Sequence, residues 1–448
     1  MQSINHLRET IKLAVPLIIS QVGHIVTGLV DTVFLGQIGK TEQAAGFLAN
    51  NVFVLLLVFS IGMSYGLTPL TTQAQVNNNN EEQARLLKNS FLLNLLVSVF
   101  LFGVLYFASP LLYYMEQPKD VVELAIPFFL VLIFSIIPCS LFFTGKQFAE
   151  GRNNTVIAMI ISVGGNLINI ILNYILINGH FGFPKMGYMG SCWATFIARV
   201  LMGVVFIIVI YKNSSFKSIS NLFSKVQISL FDLIRLFKIG FGSALQFTFE
   251  VAAFVCCALM IGKFGKEQID AHGIAMGIAS FTYMFGSGIS GASTILSGNY
   301  KAQGNITELK KSITTALLCV VGVTLLFAFI FISLNKFLPT FFSNDVNIIE
   351  LASSLLIIAG LFQLFDGLQV TQLGILRGLE DVKIPTIITL IGYWAICLPL
   401  AYLLGIYYGM KAEGVWYAIL IGLAFVSSFL LLRIKKVMFI IENTKSLD

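Results

Sequence analysis

Residues 39–75 read GKTEQAAGFLANNVFVLLLVFSIGMSYGLTPLTTQAQ, and residues 265–301 read GKEQIDAHGIAMGIASFTYMFGSGISGASTILSGNYK. Shifted by 226 residues, the two stretches agree at nine of 37 positions: Gly39/Gly265, Lys40/Lys266, Ala45/Ala271, Ala49/Ala275, Phe59/Phe285, Gly62/Gly288, Ser64/Ser290, Thr68/Thr294 and Leu70/Leu296. Chance agreement in so biased a composition is of order one in ten, and the shift is close to half the chain, so the sequence reads as a tandem repeat. A fainter echo links FAEGRNNT (148–155) to ILRGLEDV (375–382). Each copy in the main pair is apolar enough, over enough residues, to cross a bilayer.

The rest of the composition fits that reading. Of 448 residues, 57% are hydrophobic and 11% charged, against roughly 25% charged in a soluble domain. A water-facing surface cannot be built from these residues, so most of the solvent is lipid. Twelve spans are expected near 10–34, 47–70, 90–109, 121–145, 156–178, 187–211, 233–262, 271–298, 312–334, 348–375, 385–406 and 413–434. The connections carry Gly, Pro, Asn and charge, as surface turns do. The longest polar connection, 216–238, separates an N-terminal six-helix bundle (1–215) from a C-terminal one (239–448). The first apolar run is too long for a signal core and contains Pro16, Gln21, His24 and Asp31, so it is expected to remain as the first span.

Lys and Arg placement sets the expected orientation. With both termini cytoplasmic, inner segments hold 20 of the 28 basic residues and outer segments seven, Arg199 falling within a span. Six spans per half is an even number, so both halves enter the membrane in the same direction. Such repeats are related by an axis along the membrane normal, and two such bundles are expected to enclose a cleft suited to alternating access.

Ionisable groups deep in spans cost about 2.5–3.5 kcal/mol each on insertion scales, and each needs a function or a partner. Asp31 sits in TGLVDTVFLG, Glu250 in LQFTFEVAAF, Asp366 in LFQLFDGLQV and Arg199 in ATFIARVLMG. For the acids, the plain alternative is a structural hydrogen bond to a neighbouring helix. Arg199 can pair with an acid, snorkel to a surface or line the cleft. In the fifth span Asn166, Asn169 and Asn173 are spaced three and four apart, which puts three amides on one helical face. Lipid offers them no partner, so that face looks into the bundle. Their oxygens can ligate a cation, or the amides can simply join helices. Thr195 can belong to the same cluster. His24 falls opposite Glu250 under the 226-residue shift and reads first as a buried neutral histidine.

Several function classes are excluded. The string GQIGKTE (36–42) imitates a phosphate loop, but Phe34 stands where the first glycine is required. No segment is long enough for a soluble ATPase domain, so transport draws on an ion gradient or runs downhill. The six cysteines lie in apolar stretches without a CxxC spacing and read as packing residues. No nucleophile–base constellation is visible and the chain has only four His, so it is not expected to be an enzyme. No cofactor is expected, and the net charge of +6 need not mean nucleic acid in a membrane protein, where the placement of the charges matters.

These residues resemble the multidrug and toxic compound extrusion (MATE) family, in its bacterial NorM-like branch. The resemblance covers nearly the whole chain. It rests on PLIISQVGHIVTGLVDTVFLG (16–36), EQAAGFLANN (42–51), NLINIILNYILINGHFG (166–182), GFGSALQFTFEVAAF (240–254), AHGIAMGIASFTYMFGSGISGA (271–292) and DGLQVTQLGILRGLEDVKIPT (366–386). It implies an all-α, twelve-helix antiporter of the bacterial inner membrane that exports organic cations, such as drugs and dyes, against sodium or proton influx. By this likeness Asp31, Asn169, Asn173 and Thr195 form an N-lobe sodium or proton site, and Glu250 and Asp366 are the C-lobe acids. Gln21, His24, Asn166 and Arg199 stand as accessory candidates. The chain departs from some sodium-coupled members at Phe362, where they carry a tyrosine; phenylalanine offers no oxygen to a C-lobe sodium site.

Desolvation in general raises a carboxyl pKa and a nearby cation lowers it, so a buried acid can hold an ion in one facing state and release it in the other. A drug cation then needs only an opposite preference for the two states. Aromatic walls suit flat lipophilic cations of varied shape. Two alternatives remain at this point: a lipid-linked oligosaccharide flippase of the same superfamily, which calls for more cationic groups along its cleft, and a channel or receptor-like scaffold, against which the repeat and its separate buried acids argue.

Overall fold

The computed structural model describes residues 2–114 and 117–445. Lys445, counted among the inner charges, and the end of the 239–448 bundle lie outside the described side chains. Almost all of the described chain is helical. Eleven helices are long and apolar enough to span a membrane: α1 (Asn5–Ile38), α2 (Lys40–Val76), α3 (Asn80–Tyr114), α4 (Lys119–Gly151), α5 (Thr155–Asn178), α6 (Tyr188–Lys212), α7 (Leu230–Gly262), α9 (Ile306–Ser333), α10 (Val346–Gly378), α11 (Lys383–Tyr407) and α12 (Lys411–Asn443). The twelfth, α8 (Lys266–Ala302), is 37 residues long but less apolar. Most of its buried residues are Ala, Gly, Ser and Thr, the small residues that let helix backbones approach inside a membrane. All twelve expected spans therefore coincide with helices. Between α6 and α7 a short helix, Lys217–Phe223, sits in the polar connection, and α7 already begins at Leu230.

The start of α1, up to Ile18, packs with the chain from Leu245 onward as one compact unit, the C unit; Ile19–Ala244 form the other, the N unit. Within the N unit α2 lies along α4, and within the C unit its repeat counterpart α8 lies along α10. The correspondence reaches single bonds. Thr68 Oγ1 donates to the Gln147 carbonyl at 3.2 Å, and Thr294 Oγ1 donates to the Gly374 carbonyl at 2.9 Å. These bonds satisfy hydroxyls that lipid could not.

Turn chemistry repeats as well. Asn79 caps α3 by accepting from Glu82 N–H at 3.0 Å, and Asn305 caps α9 by accepting from Glu308 N–H at 3.2 Å. A side-chain oxygen at this position satisfies an amide that the first turn of a helix leaves unpaired. The residues just before these caps, Asn78 and Gly304, both have positive φ (54° and 64°), as do Asn153 and Glu380 (60° and 63°). The faint echo between 148–155 and 375–382 is thus a shared left-handed turn after a shared helix end.

Candidate functional site

In the N unit, α5 presents Asn166, Asn169 and Asn173 on one buried face. Asn173 Nδ2 donates to Asp31 Oδ1 at 2.6 Å and to the Asn169 carbonyl at 3.1 Å. With its nitrogen toward Asp31 the Asn169 amide finds partners at both ends: the nitrogen donates to Asp31 Oδ1 at 3.1 Å, and the oxygen accepts from the Thr195 hydroxyl (3.1 Å) and Thr195 N–H (3.3 Å). That seating suits an ionised acid, because a carboxylate can only accept. Asp31, Asn169, Asn173 and Thr195 are thus one connected cluster.

The accessory candidates fall around it. Asn166 lies against α1, its Nδ2 only 2.7 Å from where a Cβ on Gly23 would stand, and it is in hydrogen-bonding reach of His24. Gln21 lies one turn before His24 on the same helix. Arg199 donates from Nη1 to Ser135 Oγ at 2.5 Å, and its guanidinium sits 4.9 Å from the centre of the Phe53 ring. A hydroxyl and an aromatic face therefore meet its charge.

In the C unit α7 and α10 bury Glu250 and Asp366 within Coulombic reach of each other. Gln369, one turn after Asp366, donates from Nε2 to Glu250 Oε2 at 3.4 Å. Its oxygen accepts from the Tyr393 hydroxyl of α11 at 2.8 Å. Tyr393 is 1% exposed. Phe362 packs on Trp416 with ring centres 5.4 Å apart, and Trp416 Nε1 donates to His272 Nδ1 at 3.1 Å. Tyr393 brings a phenolic hydroxyl into the neighbourhood of both acids. Sequence reasoning missed Gln369 and Tyr393. The i, i+3 spacing of Asp366 and Gln369 was a usable signal; Tyr393, among 14 tyrosines, was not distinguishable.

A second omission is in α4. Lys146 and Glu150 are each 4% exposed, with Lys146 Nζ 3.9 Å from Glu150 Oε1. Their i, i+4 spacing marks a helix pair, but a charged pair near a helix end reads from sequence as a surface feature. Arg85 and Asp232 also pair within the N unit at 2.5 Å and tie α3 to the start of α7. Among the described residues no group of three His, Cys, Asp or Glu side chains is arranged to hold a metal.

Comparison with known proteins decides the class. The MatE family matches this chain twice, over residues 16–175 and 243–403. The chain belongs to the MatE family. The two matches begin about one repeat apart, in line with the internal duplication. The multidrug resistance protein NorM of Photobacterium profundum is 30% identical over 440 residues, 96% of either chain. A probable multidrug resistance protein NorM of Bacillus cereus is 28% identical over 443 residues, covering 98% of each. Among solved structures, the eukaryotic MATE transporter AtDTX14 superposes with a TM-score of 0.90 over 99% of this chain and 100% of its own, at 18% identity, a likeness of fold. This MatE protein is accordingly a multi-pass membrane transporter of the multidrug-efflux class, and not an enzyme.

Proposed function

We propose that this MatE protein is a secondary antiporter that exports lipophilic organic cations in exchange for sodium ions or protons. Both termini are assigned to the cytoplasm and the chain to the inner membrane of a bacterial cell. The carrying observation is the Asp31 cluster, an acid inside the bilayer met by the amides of Asn173 and Asn169, with the Thr195 hydroxyl behind them. Lipid offers such an acid no partner, and these groups offer oxygens and amides that a proton or cation on it can share. Glu250 and Asp366 supply a second acidic centre in the C unit. An uncompensated buried charge is costly, so a proton or a cation gains free energy by joining either centre. Asp31, Asn169, Asn173 and Thr195 can surround a sodium ion with oxygens, and Glu250 with Asp366 can do the same.

The test is efflux of a cationic dye by cells that carry Asp31→Asn or Asp366→Asn. Each variant is expected to insert at the wild-type level and to lose ion-driven efflux. Wild-type resistance in both would remove the acids from the mechanism.

A further inference from the structure

Helix α11 is not a regular α-helix. Residues Ile391–Cys397 and Leu403–Tyr407 are wound as π-helix, with only Leu398–Tyr402 between them in α form. A π turn widens the backbone by one residue and gives up good packing along its axis, so such turns are rare and usually hold a side chain where a function requires it. Here the first π stretch carries Tyr393, a phenol buried beside Phe254, with ring centres 6.2 Å apart. A buried hydroxyl has to find a partner, and this one finds the amide of Gln369, which also bonds Glu250. The titratable groups that face Tyr393 are Glu250 on α7, Asp366 on α10 and Tyr283 on α8.

We propose that Gln369 and Tyr393 are positioning residues that transmit the occupancy of Glu250 to the π-wound part of α11. The proposal rests on the reading of Glu250 and Asp366 as an ion-coupling centre. The amide has one donating and one accepting end. An ionised Glu250 takes the N–H, which leaves the amide oxygen to receive the Tyr393 hydroxyl, as observed. A proton or a cation on Glu250 calls for an oxygen instead. The amide then turns over, its oxygen facing the newly formed carboxyl O–H or the cation and its N–H facing Tyr393. Tyr393 ceases to donate to Gln369 and swings its hydroxyl hydrogen elsewhere. No covalent bond changes except the O–H on Glu250. Gln369 and Tyr393 stay bonded with the direction reversed, so the phenolic hydrogen must find a new acceptor, and the first π turn of α11 that carries it readjusts.

The experiment uses the full chain in liposomes, with a lipophilic cationic dye as cargo and imposed pH or sodium steps. Tyr393→Phe removes one oxygen and keeps the ring. It is expected to shift the half-activating proton or sodium concentration about fivefold, the worth of one hydrogen bond, with the KM for dye within about twofold of wild type. Gln369→Leu is expected to shift it further. In the wild type, hydrogen exchange across 391–407 is expected to respond to the ion step; in Tyr393→Phe that response is lost. An unshifted midpoint, or an intact exchange response, in Tyr393→Phe overturns the proposal. Glu250→Gln separates the two readings. If it exchanges dye at the wild-type rate, the acidic centre itself is wrong. If it is inactive while Tyr393→Phe behaves as wild type, only the link to α11 is wrong. Should Gln369→Leu fail to reach the membrane, Tyr393→Phe carries the test alone.

Discussion

Asp31 shows how much a single residue can announce and how little it can explain. A carboxylate in an apolar run is conspicuous because lipid gives it no partner. Its partners are a matter of three-dimensional distance: Asn173 lies 142 positions away in sequence and 2.6 Å away in space. The asparagine triplet was legible from helical spacing, and it does face inward. Spacing gives a face and not a depth; only the family likeness singled out Asn169 and Asn173 as the partners of Asp31. The bond from Asn173 is the shorter and goes to a charged group when Asp31 is ionised, so its loss costs about 1.5–3 kcal/mol of charge-assisted bonding. Asn173→Ala is therefore expected to weaken ion activation of dye efflux by about tenfold or more, and Asn169→Ala by less, since Asn173 still serves the acid. Ion titrations of transport rate by the two variants check the order; equal effects would place both amides in a purely structural role.

At the scale of elements, helix pairing follows from small residues. On α10, Gly374 and Gly378 are four apart, and a Cβ on either would stand 2.4 Å from a carbonyl oxygen of α8, that of Ser290 or Thr294. In lipid there is no hydrophobic drive to join helices, so this close approach and the bonds it permits are what hold α8 to α10. Gly374→Val is expected to destabilise the detergent-purified protein by about 1–3 kcal/mol through overpacking. A melting curve that coincides with wild type would show that α8 and α10 can separate without loss. The apolar lengths of the spans, that of α8 included, could be seen in the sequence, and so could the turn signals; the likeness of α8 to α2 added the repeat. The π winding of α11 could not be seen. It is a feature of the folded backbone that nothing in IGYWAIC (391–397) announces.

For the whole molecule, a carrier and a channel differ in one measurable respect. A carrier's flux saturates with cargo and exchanges against an opposing ion gradient. Dye efflux from liposomes, with sodium and proton gradients imposed separately, is expected to saturate and to be driven by at least one of them; linear, gradient-independent flux would point to a channel. The class of the protein was largely settled by the chain itself. Composition required lipid, the 226-residue echo required two kindred halves, and the stranded acids required partners or ions, because each of these follows from solvation alone. Folding decided the rest: which amides meet Asp31, that Arg199 rests on Ser135 and Phe53, that Lys146 and Glu150 are buried together, and that Tyr393 reaches the C-unit acids through Gln369. Apart from Lys146 and Glu150, four apart on one helix, where folding decided only their burial, those are contacts between different helices, and hydropathy and spacing describe what one helix offers, never which neighbour accepts it.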